Sequence, residues 1–397
     1  MTPYASFTYF GILLYPIIPL IILGVVGSYA LHPSARLARS WAALSMFLML
    51  LIQYWGTITL WPGAVLQELW IVAAYAIYQV AVTRTFITMH SATKSRAPLF
   101  MAVALSLLPL ALSKFTPLLA PGSAIGFLGI SYVTFRALDV VFSIQDNVVN
   151  DVPTSQLLAF LLFFPTISSG PIDRYRRFSA DWKRLRSRAQ VIQDLDGAVQ
   201  HIFTGLLLKF ILAALLKQYV LDPVSTSEGP FATLGTMYAY SLYLFFDFAG
   251  YSALAIGVSY IFGIHTPENF RDPFRSPNIR EFWNRWHISL SWWFRDHVYM
   301  RFVLAATRGR WFKGRNTASY AGFVLSFGLM GLWHGTAPHF LLYGLYHAAL
   351  LIGYDVFTRL NREYVMWGES PPWQVANVVL TFHAVCFGFL LFSGRII

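Results

Sequence analysis

The chain has 397 residues, 56% hydrophobic and only 12% charged, with a net charge of +11. A soluble domain usually carries about 25% charged residues, and long apolar stretches recur from end to end, so an ordinary soluble enzyme is excluded. The positive balance reads as cytoplasmic loops facing anionic lipid headgroups rather than as a nucleic-acid surface.

A transmembrane helix needs roughly 20 apolar residues, and about eleven segments qualify by that rule. Because the apolar runs are long and do not alternate, helices are the expected spanning element. The first run, residues 7–26, has no basic segment before it and no small-residue cleavage site after it. It reads as a retained helix, not a signal peptide. Runs over 41–60, 69–89, 98–112 and 122–142 follow, with Arg36, Arg39, Arg84, Lys94, Arg96 and Lys114 among the basic residues near their ends.

The run 155–172 is short and interrupted by Pro165 and by "SSGP" at 168–171. It is a poor spanning helix and a fair re-entrant one, since broken backbone at membrane depth is tolerated where protein or a cavity surrounds it. The most basic stretch, "DRYRRFSADWKRLRSR" at 173–188, comes next. Spans are expected near 199–219 and 233–262. Residues 264–315 are polar, basic and rich in tryptophan. Three further apolar segments cover 317–333, 340–357 and 373–397. Basic loops near 36, 90, 180, 290 and 360 all fall on the cytoplasmic side if 155–172 does not cross, which leaves both termini outside. No repeat and no soluble domain interrupts the pattern, so a single membrane-embedded domain over 1–397 is expected.

Two stretches carry the polar chemistry. In "FWNRWHISLSWWFRDHVY", 282–299, a helix would put Asn284, His287, Ser291 and Arg295 on one face. An interfacial amphipathic helix with tryptophans at the headgroups explains this as simply as a polar cavity does. In "GLMGLWHGTAPHF", 328–340, His334 sits among Gly328, Gly331 and Gly335, which allow close backbone approach. A structural histidine, a metal ligand, a proton relay and a catalytic base all remain open for it. Metal binding has little support, because no acidic residue lies between Asp296 and Asp355 and His339 is five residues away. A relay would want intramembrane acids. Asp139, with Arg136 one turn before it, reads as a local ion pair. Asp247 reads as a hydrogen-bond partner of Tyr251. The single cysteine, Cys386, builds neither a disulfide nor a thiolate cluster.

Four stretches together resemble one family. They are "FFPTISSGPIDRYRRF", "NFRDPFRSPNIREFWNRWHISLSWWFRDHVYMRFV", "GLMGLWHGTAPHFLLYGLYHA" and "LTFHAVCFGFLLFSG". This is similar to the membrane-bound O-acyltransferases, and within them to the D-alanyl-lipoteichoic acid transfer branch. The alginate O-acetyltransferase branch tends to follow the arginine–aspartate pair with a proline and two glycines, where Met300, Arg301 and Phe302 stand here.

The resemblance implies an all-α polytopic fold with re-entrant and interfacial helices beside the spans. It implies His334 as the catalytic base and His287 as the second catalytic position. Asn284, Ser291, Trp286 and Trp333 become the candidates to line a substrate channel. No metal and no permanently bound cofactor is implied. The implied donor is D-alanine, carried as a thioester on the phosphopantetheine arm of an acidic cytoplasmic D-alanyl carrier protein. The basic runs 174–188 and 271–315 are candidate docking surfaces for that carrier. The acceptor pathway leads to lipoteichoic or wall teichoic acid outside, with other D-alanylation membrane proteins as partners. Two alternatives stand beside this reading. One is an O-acetyltransferase for an extracellular polysaccharide, and the other a non-enzymatic flippase or channel for an acylated intermediate.

Overall fold

The computed structural model describes residues 62–397 except 94, 120–126, 128, 315, 365–366, 369 and 397, together with Ala43 and Met46. The apolar runs expected at 7–26 and 41–60 lie outside these residues, apart from those two positions. The described chain is helical, without a strand among the described residues; Phe270 and Trp286 form an isolated bridge. Six of the described helices are long and apolar enough to cross a membrane.

The chain divides into two compact units. One takes the residues up to Gly205 and Tyr251–Pro267, the other Leu206–Gly250 and Glu268 onward.

In the first unit, helices α1 (Pro62–Ala92), α2 (Ala97–Leu119) and α3 (Ile130–Gln145) pack together. Polar side chains tie them where the apolar faces alone give no register. Tyr75 on α1 bonds Thr134 on α3 at 2.7 Å, and Gln79 donates to Tyr75 and to the Ser106 carbonyl on α2.

The broken segment forms as expected. Helix α4 (Thr154–Leu161) stops after two turns, and a 3-10 turn at Phe164–Thr166 begins around Pro165. A helix that ends inside protein leaves carbonyls without partners. Arg136, 1% exposed, supplies them. Its Nη1 donates to the carbonyls of Phe160, Leu161 and Phe163 at 3.1–3.2 Å, and its Nη2 donates to the Thr166 hydroxyl. The ion pair expected between Arg136 and Asp139 is therefore replaced. Asp139 accepts instead from Arg174 Nη1 and from the Tyr175 backbone N–H, both at 2.8 Å. The guanidinium is the only group on α3 long enough to satisfy several carbonyls of the break at once, so it is drawn there and Asp139 is left for Arg174.

Helix α5 (Tyr175–Lys183) and helix α6 (Arg188–Leu206) carry much of the basic stretch. Several of its arginines are engaged locally: Arg177 with Asp173 and Asp181, and Arg186 with Asp194 at 3.0 Å. Tyr251 meets Ser168 rather than Asp247.

In the second unit, α6 runs on through π-helical turns at Leu207–Ala213 and Lys217–Leu221. Lys209 in the first of these pairs with Asp247 on α7 (Pro230–Ile261). An intramembrane acid needs a partner, and a lysine reached from the facing helix neutralises it better than a tyrosine hydroxyl one turn along its own. Helix α8 (Ile279–Arg285) is capped by Asn278, whose side chain accepts from the Glu281 N–H. Helix α9 (Ile288–Phe294) and α10 (Met300–Arg308) follow. Then α11 (Thr317–His334) and α12 (Pro338–Tyr364) form a tight hairpin, and α13 (Pro371–Phe392) packs on α12.

Glycines set that hairpin. A Cβ on Gly344 would collide with the Phe327 carbonyl, and one on Gly331 with the Phe340 carbonyl. The backbones touch there, as small-residue crossings in membranes allow. Gly328, by contrast, has room, with its nearest neighbour at 3.9 Å.

Candidate active site

Residues 282–299 do not form the continuous helix expected from their spacing. The helix breaks at Trp286–His287 and restarts. His287 holds φ 44° and ψ 50°, the left-handed region. A histidine in that conformation is uncommon and costs of order 1–3 kcal/mol, so surrounding contacts must impose it. They come from residues 269–271. Arg271 N–H donates to the Arg285 carbonyl and Ile288 N–H to the Asn269 carbonyl, both at 3.0 Å. Buried Asn269 Oδ1 also accepts from the Ser289 hydroxyl at 2.6 Å.

The break splits the expected polar face. Asn284, Ser291 and Arg295, with Arg280, line one cavity of about 120 Å³. His287 turns into another, of about 70 Å³, and His334 opens onto that same cavity. Phe248, Trp286, Tyr343, Phe389 and Phe392 wall the smaller space, so its other lining is chiefly aromatic and aliphatic. Trp283 and Met330 line both cavities. Trp333 does not face the smaller cavity but packs on both imidazoles, with ring centroids 4.6 Å from His334 and 6.5 Å from His287.

The two histidines are held differently. His287 is 4% exposed, edge-to-face with Phe248 at 4.7 Å, and its buried Nε2 has no hydrogen-bond partner among the described residues. Burial, and secondarily the nearby His334, keeps this imidazole well below its ordinary value of 6.5. His334 is the last residue of α11. It is half-buried and packs on Phe392 at 5.0 Å, with Tyr343 and Phe340 beyond. Of the two, His287 is the more deeply buried. His334 sits at a helix C-terminus, where the negative end of the helix dipole favours a developing positive charge.

A consequence for pH follows. A histidine with a depressed folded-state pKa supports the fold above its unfolded value and withdraws that support as pH falls. Below about 6.5 the unfolded chain takes up a proton that folded His287 refuses. Thermal unfolding of wild type in detergent is therefore expected to fall on acidification from pH 7.5 to 5.5 by more than that of His287→Gln. Equal falls in both proteins would refute the buried neutral state.

Among the described residues no group of three His, Cys, Asp or Glu side chains converges as a metal site. His347 is fully buried against Trp283 and Tyr343 and does not line the cavity of the other two histidines. Sequence spacing did not mark Phe248, Tyr343, Phe389 and Phe392 as site residues, because each is one more aromatic in an apolar helix. The last three do lie within the stretches that carry the family resemblance.

Two histidines open onto one small cavity, His287 from the break between α8 and α9 and His334 from the end of α11, and comparison with known proteins decides the family. The model of the membrane-bound O-acyltransferase family matches residues 47–393. The chain belongs to that family. As a membrane-bound O-acyltransferase it is an acyltransferase and a multi-pass membrane protein. It is 42% identical to the teichoic acid D-alanyltransferase of Bacillus subtilis (strain 168), over 100% of this chain and 98% of that protein. It is 37% identical to the protein of the same name from Lacticaseibacillus rhamnosus, over 99% of this chain and 97% of that one. A probable alginate O-acetylase of Pseudomonas syringae is 30% identical over 68% of this chain and 49% of its own length.

Proposed function

We propose that this acyltransferase moves D-alanine from the phosphopantetheine thioester of a cytoplasmic carrier protein to a hydroxyl acceptor on the way to teichoic acid outside the membrane. The observation that carries the reading is the shared cavity of His287 and His334, taken with relatives of full-length similarity that bear the D-alanyltransferase name.

A thioester is already activated, so what the reaction needs is a base for the acceptor. Neutral His334 takes the hydroxyl proton as the oxygen attacks the thioester carbonyl. The carbon–sulfur bond then breaks, the imidazolium returns its proton to the leaving thiolate, and an ester and a free thiol result. The C-terminus of α11 stabilises the transient imidazolium. His287 Nε2, in the tautomer that carries a proton there, donates to the carbonyl oxygen as it gains negative charge. The donor path is the larger cavity, with Asn284 and Ser291 on its wall. Trp283 and Met330, which line both cavities, stand between it and the histidines. Arg280 and Arg295 stand on that larger cavity, in one of the basic loops assigned to the cytoplasm by the positive-inside pattern. A thin pantetheine arm needs only such a passage and no alternating access. Docking of an acidic carrier falls to the basic loops, although Arg184 and Arg186, both near Asp194, are partly neutralised already.

The test supplies purified protein in membranes with carrier loaded with labelled D-alanine, and separately with acetyl donors. Transfer of D-alanine with acetyl refused is the expected result. Transfer of acetyl alone moves the protein to the polysaccharide acetylation branch. Movement of an acylated intermediate across vesicles that survives loss of both histidines makes it a transporter.

A further inference from the structure

We infer that the histidine cavity gauges acyl size, and that Trp286 and Phe389 form the fixed wall that limits the acyl group to about that of alanine. The inference rests on the reading above that the reacting carbonyl sits beside His287 and His334.

The first observation is volume. A dry apolar cavity of about 150 Å³ accepts benzene, six carbon atoms. The histidine cavity is about 70 Å³, somewhat under half of that. By that proportion it holds about three heavy atoms in all, which matches the α carbon, methyl and amino nitrogen of an alanyl group with the reacting carbonyl at the cavity's edge. A longer chain has nowhere to go unless a wall retreats.

The second observation is that this wall is held from behind. Trp286 and Phe389 rings lie 4.6 Å apart, and they are 4% and 1% exposed. Phe282 stacks on Trp286 at 5.7 Å, and Phe270 meets it edge-on at 5.0 Å. The Trp286 backbone donates to the Phe282 carbonyl at 2.8 Å and bridges Phe270. Close-packed interiors resist added methylenes, which force off-rotamer side chains. The aromatic faces have a further use. They offer the amino group of an aminoacyl donor a cation–π surface in a cavity that no carboxylate among the described residues lines.

The experiment loads one carrier with D-alanine, D-2-aminobutyrate or D-norleucine and measures kcat/KM for each with wild type, Trp286→Ala and Phe389→Leu. Wild type is expected to lose about 10-fold or more for the first added methylene, in the range a shaped apolar pocket achieves, and more than 100-fold for norleucyl. Each variant is expected to narrow the alanyl-to-norleucyl ratio at least 10-fold. The ratio is taken within one preparation, so a smaller folded fraction cancels, and Phe389→Leu removes fewer contacts should Trp286→Ala fold poorly. A wild type that accepts all three donors within a few-fold overturns the gauge, as does a ratio that neither variant moves. A wild type that transfers no D-alanine from the carrier overturns the proposed function instead.

Discussion

Replacing His334 with alanine is expected to lower D-alanyl transfer from loaded carrier by roughly 10² to 10⁴, the span that a positioned general base contributes, with carrier binding unchanged. The reason is local. His334 ends α11, opens onto the 70 Å³ cavity and packs on Phe392 and Trp333. An alanine there removes the only side chain of α11 that is both basic and in that cavity, and leaves the Gly331–Phe340 contact of the hairpin intact. Transfer and carrier affinity measured on the same membranes separate the chemical step from docking. Retained transfer returns His334 to the role of a packed structural histidine. Loss of carrier binding together with transfer assigns the defect to folding or docking.

The second large effect is on stability. Arg136→Met is expected to lower the unfolding temperature sharply, by an amount equivalent to about 2 kcal/mol or more. The Leu161 carbonyl and the Thr166 hydroxyl lose this donor, and the carbonyls of Phe160 and Phe163 are left with backbone partners alone, those from Phe163 and Thr166 at 3.5 and 3.4 Å. An unsatisfied buried polar group costs about 1–3 kcal/mol. Methionine fills the space without offering a hydrogen, so the loss reports the bonds rather than a cavity. Lysine, with one ammonium in place of a fork, is expected to recover part of it. Thermal unfolding in detergent, followed together with proteolysis within 160–170, checks this. An unchanged midpoint in Arg136→Met would mean that water satisfies those carbonyls and that the arginine does not hold the break.

Much of this protein is fixed by its sequence. The all-helical membrane class follows from long apolar runs, because lipid cannot satisfy backbone groups and only helices of that length bond all of theirs internally. The break at 155–172 was legible in Pro165 and "SSGP", and the motifs around His287 and His334 singled out the two histidines that share a cavity. The tertiary structure decided what spacing left open. Spacing placed Asn284, His287 and Ser291 on one helix face, yet backbone bonds to Asn269 and Arg271 bend the chain at His287 and send it to a different cavity. Asp139 and Asp247 have charged partners, Arg174 and Lys209, that come from other segments of the chain. The Arg136 suggested by sequence proximity went to the carbonyls of the break. A polar group inside a membrane takes whichever partner the packing brings within about 3 Å, and periodicity along one helix carries no information about its neighbour. The same holds for the aromatic wall of the cavity: each ring is ordinary in its own helix and becomes part of one wall only where segments distant in sequence meet.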